Sequence, residues 1–300
     1  MTLLLIQACL PLAALVALGY AIGRLHKVDL KSVATLVIYA ITPLVAFGSA
    51  ARLNFTPSLL ALPICTFAIA SLIGMGIYAV GGCLHDKAKR SLLPVACGSG
   101  NTGYFGLPIA MALFGQETAG IYFLANLGVV VFETSLGFYF VARSTLSGKE
   151  ALRRVVRLPI LYALSAGLAL AALHISLPDA IVKLCNLGKG AYVVVGMMIA
   201  GLALAQAKGF SLSPRLVGLV FLGKFVFWPA AAFLFTWIDP GILNSQEHHL
   251  VQVMSLVPVA ANLPAYAAAN NVPVRDAALL VLMSTILAIG FLPLVLPALL

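Results

Sequence analysis

Apolar stretches of about 20 residues recur along almost the whole chain, each parted from the next by a short polar or basic connection. A helix rises about 1.5 Å per residue, so such a stretch matches the hydrocarbon core of a bilayer. The stretches are Thr2–Gly23, Ser32–Ala51, Ser58–Gly82, Leu92–Gly115, Thr118–Val141, Leu158–Leu177, Gly188–Ala205, Leu216–Trp237, Leu250–Asn270 and Ala277–Leu300, which predicts ten spans. The first has no basic leader and exceeds a signal-peptide core, so it is read as a span. With 62% hydrophobic and 9% charged residues and a mean hydropathy of +1.07, the chain is expected to be an all-α polytopic membrane protein with the lipid bilayer as its surroundings.

The charges test that reading, because Lys and Arg are retained on the cytoplasmic side. Connections after spans 1, 3, 5, 7 and 9 hold 14 of the 18 Lys and Arg. These are Arg24, Lys27, Lys31, Lys87, Lys89, Arg90, Arg143, Lys149, Arg153, Arg154, Arg157, Lys208, Arg215 and Arg275. With Asp29, Asp86, Glu150 and Asp276 this set is net +10, whereas the opposite connections, with Arg52, Lys183, Glu117, Asp179, Asp239 and Glu247, are net −2. Lys189, Lys224 and Glu133 lie inside or at the edge of spans. The overall +9 is therefore a statement about topology and not about a nucleic-acid partner, and it places both termini on the non-cytoplasmic side. The basic loop after span 5 divides the chain into 1–150 and 151–300, five spans each, and an odd number per half predicts inverted repeats.

Two spans are interrupted at corresponding positions. Span 4 carries Gly98-Ser99-Gly100-Asn101-Thr102-Gly103-Tyr104-Phe105-Gly106-Leu107-Pro108, and span 9 carries Val257-Pro258-Val259-Ala260-Ala261-Asn262-Leu263-Pro264-Ala265-Tyr266. Glycine costs a helix about 1 kcal/mol per position and proline removes a donor, so a half helix, an unwound stretch and a second half helix starting near Pro108 are expected. Peptide groups freed in hydrocarbon survive only where protein or a polar cavity satisfies them, which makes both stretches candidates for lining a midplane binding site. The alternative is a glycine packing face with a proline kink.

The span-4 run Gly100–Pro108 closely resembles the signature of the auxin efflux carrier family, whose bacterial members include malonate and malate permeases. Thr42-Pro43-Leu44-Val45, Met198-Ile199-Ala200-Gly201-Leu202-Ala203 and Pro258-Val259-Ala260-Ala261-Asn262 match as well, so the resemblance covers the whole chain. It implies crossed discontinuous helices 4 and 9. It also implies a scaffold of spans 1, 2, 6 and 7, often the homodimer surface, and a transport domain of spans 3–5 and 8–10. Substrate contact is carried over to Asn101, Thr102, Gly103 and Pro108 with Pro258, Asn262 and Pro264. The plant members' long central loop is reduced here to about 15 residues, so regulation through it is not expected.

Glu133 and Lys224 are embedded in spans, where an unpaired charge costs from about 3 to over 10 kcal/mol. Glu133 is either a site for a coupling ion, proton or sodium, or a neutral hydrogen-bonded carboxyl. Lys224 pairs with an acid, attracts an anionic substrate, or snorkels. Asn126, seven residues before Glu133, shares its helix face and extends a polar stripe. Lys183, Asn186 and Lys189 read as interfacial anchors, His248-His249 as exposed boundary residues, and Cys9, Cys65, Cys83, Cys97 and Cys185 as packing residues with no disulfide or metal spacing. No nucleotide-binding or hydrolase motif is present, and no organic cofactor or metal is expected. The leading expectation is a secondary carrier for small organic anions in the inner membrane. The alternatives are a membrane enzyme acting on a lipid or prenyl substrate, or a carrier-like channel or sensor.

Overall fold

The computed structural model describes residues 2–53, 57–115, 118–206 and 212–299. Glu117 and Lys208, used in the charge count, lie outside them. Every regular element among the described residues is helical: α1 (Thr2–Leu25), α2 (Leu30–Ala50), α3 (Pro57–Val80), α4 (Lys87–Gly98), α5 (Leu107–Phe114), α6 (Gly120–Arg143), α7 (Gly148–Val156), α8 (Pro159–Ala172), α9 (Asp179–Gln206), α10 (Pro214–Ile238), α11 (Ser245–Leu256), α12 (Leu263–Ala269) and α13 (Val274–Leu299).

The sequence marks several starts. Asp29 and Asp86 accept the first free amides of α2 and α4, while Ser147 with Glu150 and Asn244 with Glu247 form reciprocal capping boxes for α7 and α11. Six helices, α2, α3, α6, α9, α10 and α13, are individually long and apolar enough to cross a membrane, and α7 with α8, bent by 43°, supplies a seventh. Three of the ten expected segments fall outside that count. Spans 4 and 9 are broken into short helices, and the apolar part of α1 counted here, Leu10–Leu25, is shorter than a full span.

Burial is inverted relative to a water-soluble protein. Ile64, Leu72, Leu187, Trp237 and Leu294 point outward, each more than 60% exposed, while Asn101, Thr102, Asn126, Glu133 and Lys224 are buried. Only a lipid surround makes that distribution favourable. Inside, helices approach through missing side chains. A Cβ on Gly19 or Gly201 would strike the backbone of the partner helix, so α1 and α9 touch main chain to main chain. α1 packs on α9, α9 on α2 and α2 on α8, while α3, α4 and α6 pack on one another; α1 and α9 also touch α13.

Four helical paths contain a widened π-type turn: Val37–Ile41 in α2, Thr102–Gly106 leading into α5, Glu133–Gly137 in α6 and Gly223–Phe227 in α10. Three of them run into a proline at the second position of the next segment, Pro43, Pro108 and Pro229. A wide turn shifts the carbonyl that the pyrrolidine ring would strike and absorbs its missing donor. The α-helical restart expected near Pro108 begins at Leu107, with the wide turn leading into it. Helical geometry resumes at Thr102, with the Asn101 carbonyl accepting from Phe105 and Gly106 at 3.1 and 2.9 Å. Helix starts also precede several expected span starts: α4 begins at Lys87, and α9 at Asp179, so Lys183 and Lys189 sit within it. The expected loop after span 5 contains α7.

Candidate functional site

Both interrupted paths open where the sequence places the glycines and prolines, and they open onto each other. Ser99 is extended (φ −115°, ψ 169°), Asn101 leaves helical geometry (φ −73°, ψ 52°), and the Asn101 amide donates to the Pro258 carbonyl at 2.7 Å. The peptide groups of one break are thus satisfied by the other. Ser284 of α13 accepts from the Val259 amide at 3.1 Å.

The broken helices also leave carbonyls at the ends of α4 and α11, and α10 caps both. Trp228 Nε1 donates to the Gly98 carbonyl at 3.0 Å, and Lys224 Nζ donates to the Ser255 carbonyl at 3.2 Å. The ammonium also lies 4.9 Å from the Trp228 ring centroid. Cationic charge is favourable at helix C-termini, where partial negative charge collects. Among the described residues no carboxylate lies within 4.0 Å of Lys224, so of the alternatives for it the acid pair is absent there, and a carbonyl and an aromatic face take that place. A Cβ on Gly100 would sit 2.8 Å from Lys224 Nζ and from Val257, which leaves glycine as the residue that admits both.

On the other side, α6 ties the breaks together. Asn126 accepts a short hydrogen bond from the Thr102 hydroxyl, and two turns later Glu133 accepts from Asn262 Nδ2 at 3.3 Å and the Tyr266 hydroxyl at 3.4 Å. The polar stripe of α6 therefore reaches both interruptions, as the seven-residue spacing predicts. Tyr104 donates to Asn262 Oδ1 at 2.6 Å, and its ring lies tilted against the Tyr192 ring of α9 with centroids 4.2 Å apart. Gly103 makes room for that ring, since a Cβ there would lie 3.0 Å from it.

Three buried polar atoms around the span-4 break have no hydrogen-bond partner: Asn101 Oδ1, Asn126 Nδ2 and the Tyr122 hydroxyl. Asn101's other amide atom meets only Met197 Sδ, at 3.5 Å. Asn101 also lines a cavity of about 310 Å³ walled by Val16, Met197, Ala200, Val281 and Thr285. Each unpartnered group costs about 1–3 kcal/mol, an expense that a polar ligand or water would relieve.

Of the expected site residues, Asn101, Thr102, Gly103, Pro258, Asn262, Asn126 and Glu133 are drawn together here. Pro264 sits at the second position of α12 and Pro108 beyond the wide turn of span 4, each serving helix geometry. Glu133 and Lys224 contact different partners. Tyr104 and Tyr266 lay inside the quoted motifs without an assigned role, while Tyr192 and Tyr122 carried no sequence signal. Away from the site, His248 and His249 are half-buried, and His248 Nε2 lies 3.0 Å from Asp239. Here burial raises the Asp239 carboxyl, but the Leu243 amide, His248 and the Ile242 amide together hold it below its ordinary range.

A model of the membrane transport protein family matches residues 4–296. An uncharacterised transporter of Methanocaldococcus jannaschii is 28% identical over 261 residues, covering 82% of this chain and 83% of that relative.

Proposed function

This chain belongs to the membrane transport protein family, the auxin efflux carrier family that its span-4 motif resembles, and on that premise we propose that it is a secondary carrier for small organic anions. Substrate binds where the two interrupted helices meet, with Asn101 as its principal hydrogen-bonding contact. The observation that carries this reading is the Asn101 amide. It is buried at the junction of both breaks, beside a cavity, with its oxygen unpartnered.

The finer architecture belongs to the same proposal: ten spans in two inverted five-span halves, both termini outside the cytoplasm of an inner-membrane protein, and a moving unit of spans 3–5 and 8–10 against spans 1, 2, 6 and 7. Packing of α1, α2, α8 and α9 supports the second group. A homodimer would form through that group. The net +10 and −2 connections support the orientation. Alternating access then moves the crossing from one side to the other, driven by an ion gradient or the membrane potential, which supplies about 2.3 kcal/mol per charge per 100 mV. Glu133 is the coupling group for a proton or sodium, because its buried carboxyl accepts from Asn262, the N-cap residue of α12, so that a change in its charge alters a hydrogen bond of the span-9 break.

A binding screen of mono- and dicarboxylates, malonate and malate among them, on purified protein and on Asn101→Ala tests this. Saturable binding that falls at least tenfold in the variant is expected. Unchanged binding in Asn101→Ala would remove Asn101 from the site, and uptake that never saturates would favour a channel.

A further inference from the structure

A second pocket, of about 520 Å³, opens among the ends of α3, α4 and α6, and its lining shares no residue with the crossing. Lys87, Arg90 and Arg143 line it beside Tyr78, Tyr139 and Phe140, and among the described residues no carboxylate does. Lys87, Arg90 and Ser91 share one face of the first turns of α4, at i, i+3 and i+4. Arg143 arrives from the last turn of α6.

The two arginines are held in place. Arg90 donates through Nε and Nη2 to the Tyr78 carbonyl at 3.2 and 3.0 Å, and its guanidinium lies 4.4 Å from the Tyr78 ring centroid. Arg143 donates through Nη1 to the Leu146 carbonyl at 3.2 Å. Neighbouring acids are engaged elsewhere. Asp86 caps α4, Glu150 is bonded to Ser147, and Asp276 meets Lys89 at 3.8 Å and Arg275 at 3.3 Å. Three like charges around one opening repel, and an anion placed among them relieves that repulsion. The aromatic wall, with Tyr78 tilted against Phe140 at 4.7 Å and Tyr139 edge-on to Phe140 at 5.1 Å, offers apolar ring surface beside the charge.

We propose that this pocket binds a phosphate-bearing anion, its phosphate among Lys87, Arg90 and Arg143 and its organic part against Tyr139 and Phe140. A phosphate is favoured over a carboxylate because guanidinium groups on two elements and an ammonium can address its several oxygens at once. The anion comes either from an acidic phospholipid headgroup at the basic end of the bundle or from a soluble phosphate compound. Binding ties α4, which leads into the span-4 break, to α6, which carries Asn126 and Glu133. The proposal stands independently of the carrier reading.

The test is an affinity titration of the purified full-length protein in neutral detergent with inorganic phosphate, phosphatidylglycerol and phosphatidylcholine, each read by native mass spectrometry. Wild type is compared with Lys87→Gln/Arg143→Gln and with Lys149→Gln/Arg153→Gln, whose charges lie at the same end but outside the cation cluster. At about fivefold per removed cation, the first variant should bind phosphatidylglycerol about thirtyfold more weakly and the second as wild type. Phosphatidylglycerol binding without phosphate binding identifies a lipid site, and phosphate binding alone identifies a soluble ligand; both support the proposal. Equal binding of phosphatidylcholine, equal loss in both variants, or no loss in the first overturns it. If the double variant fails to fold, Lys87→Gln, an exposed position, carries the same test at about fivefold.

Discussion

Gly106 and Tyr122 stand so close that no methyl group fits between them. A Cβ built on Gly106 overlaps the Tyr122 hydroxyl and lies 3.1 Å from Tyr122 Cζ and 3.0 Å from Val257 Cγ1. Tyr122 is fully buried and its hydroxyl has no partner. Gly106→Ala therefore wedges apart the restart of span 4, α6 and the span-9 break. Overpacking of this kind costs about 1–3 kcal/mol, and alanine's better helix preference returns about 1 kcal/mol, for a net loss of up to about 2 kcal/mol. Tyr122→Phe removes the colliding oxygen and also an unsatisfied buried group, so alone it is neutral or stabilising by about 1–3 kcal/mol. Together the two changes are not additive. The double variant should recover at least about 1 kcal/mol beyond the sum of the singles, because the methyl then occupies the space the hydroxyl left. Equilibrium unfolding in detergent micelles, followed by the fluorescence of Trp228 and Trp237, measures all four corners of the cycle. Additivity within about 0.5 kcal/mol would refute the steric reasoning. A Tyr122→Phe protein destabilised by more than about 1 kcal/mol would show that the hydroxyl has a partner and is not an open position.

Three further outcomes follow from the same geometry. Glu133→Gln keeps an oxygen that accepts from Asn262 and Tyr266, so stability should change by less than about 1.5 kcal/mol while the pH or cation dependence of uptake into proteoliposomes disappears; dependence that persists would exclude coupling through Glu133. Ser147→Ala removes the capping box of α7, and hydrogen exchange at Gly148–Val156 should speed up by a factor corresponding to about 1 kcal/mol. The Ser147 hydroxyl and amide also hold the Glu150 carboxyl below its ordinary range, so the capping contribution is present above the unfolded value and lost as pH falls through the lowered one; wild type and variant should converge on acidification, and a constant gap would count against it. The lowered carboxyl of Asp239 has the same sign, so Asp239→Asn should flatten the acid limb of the thermal stability profile and leave the neutral range unchanged in slope.

Much of this was readable because membrane spans are encoded locally. A run of apolar residues announces a helix without reference to anything distant, and so do Gly98 to Pro108 and Pro258 to Pro264 announce a break. What the breaks contact was not readable. Lys224 has a helix-end carbonyl as its partner, and a carbonyl has no sequence signature. Tyr192 meets the Tyr104 ring across 88 residues, with nothing in its own neighbourhood to mark it. The glycines were located correctly but for a different reason from the one expected. None of Gly98, Gly100, Gly103 and Gly106 has a positive φ, so any residue could adopt their backbone, and what they supply is space for Ala70, Lys224, Tyr192 and Tyr122. The wide turn over Thr102–Gly106, ahead of the α-helical restart at Leu107, was not readable, because a proline signals where a donor is absent and not how the turn before it accommodates that.

The wide turn at Glu133–Gly137 also sets an angle. It holds one residue more than an ordinary turn, and each helical residue advances the direction of its side chain by about 100°. Asn126 and Glu133 lie on one side of that inserted residue, facing the breaks; Tyr139, Phe140 and Arg143 lie on the other, facing the basic pocket. Deleting a single residue between Thr134 and Gly137 would leave a more regular helix, but it would turn one set away from its target by about a quarter of a revolution. The extra residue works as a phase adjustment, through which one straight helix addresses two differently oriented polar sites.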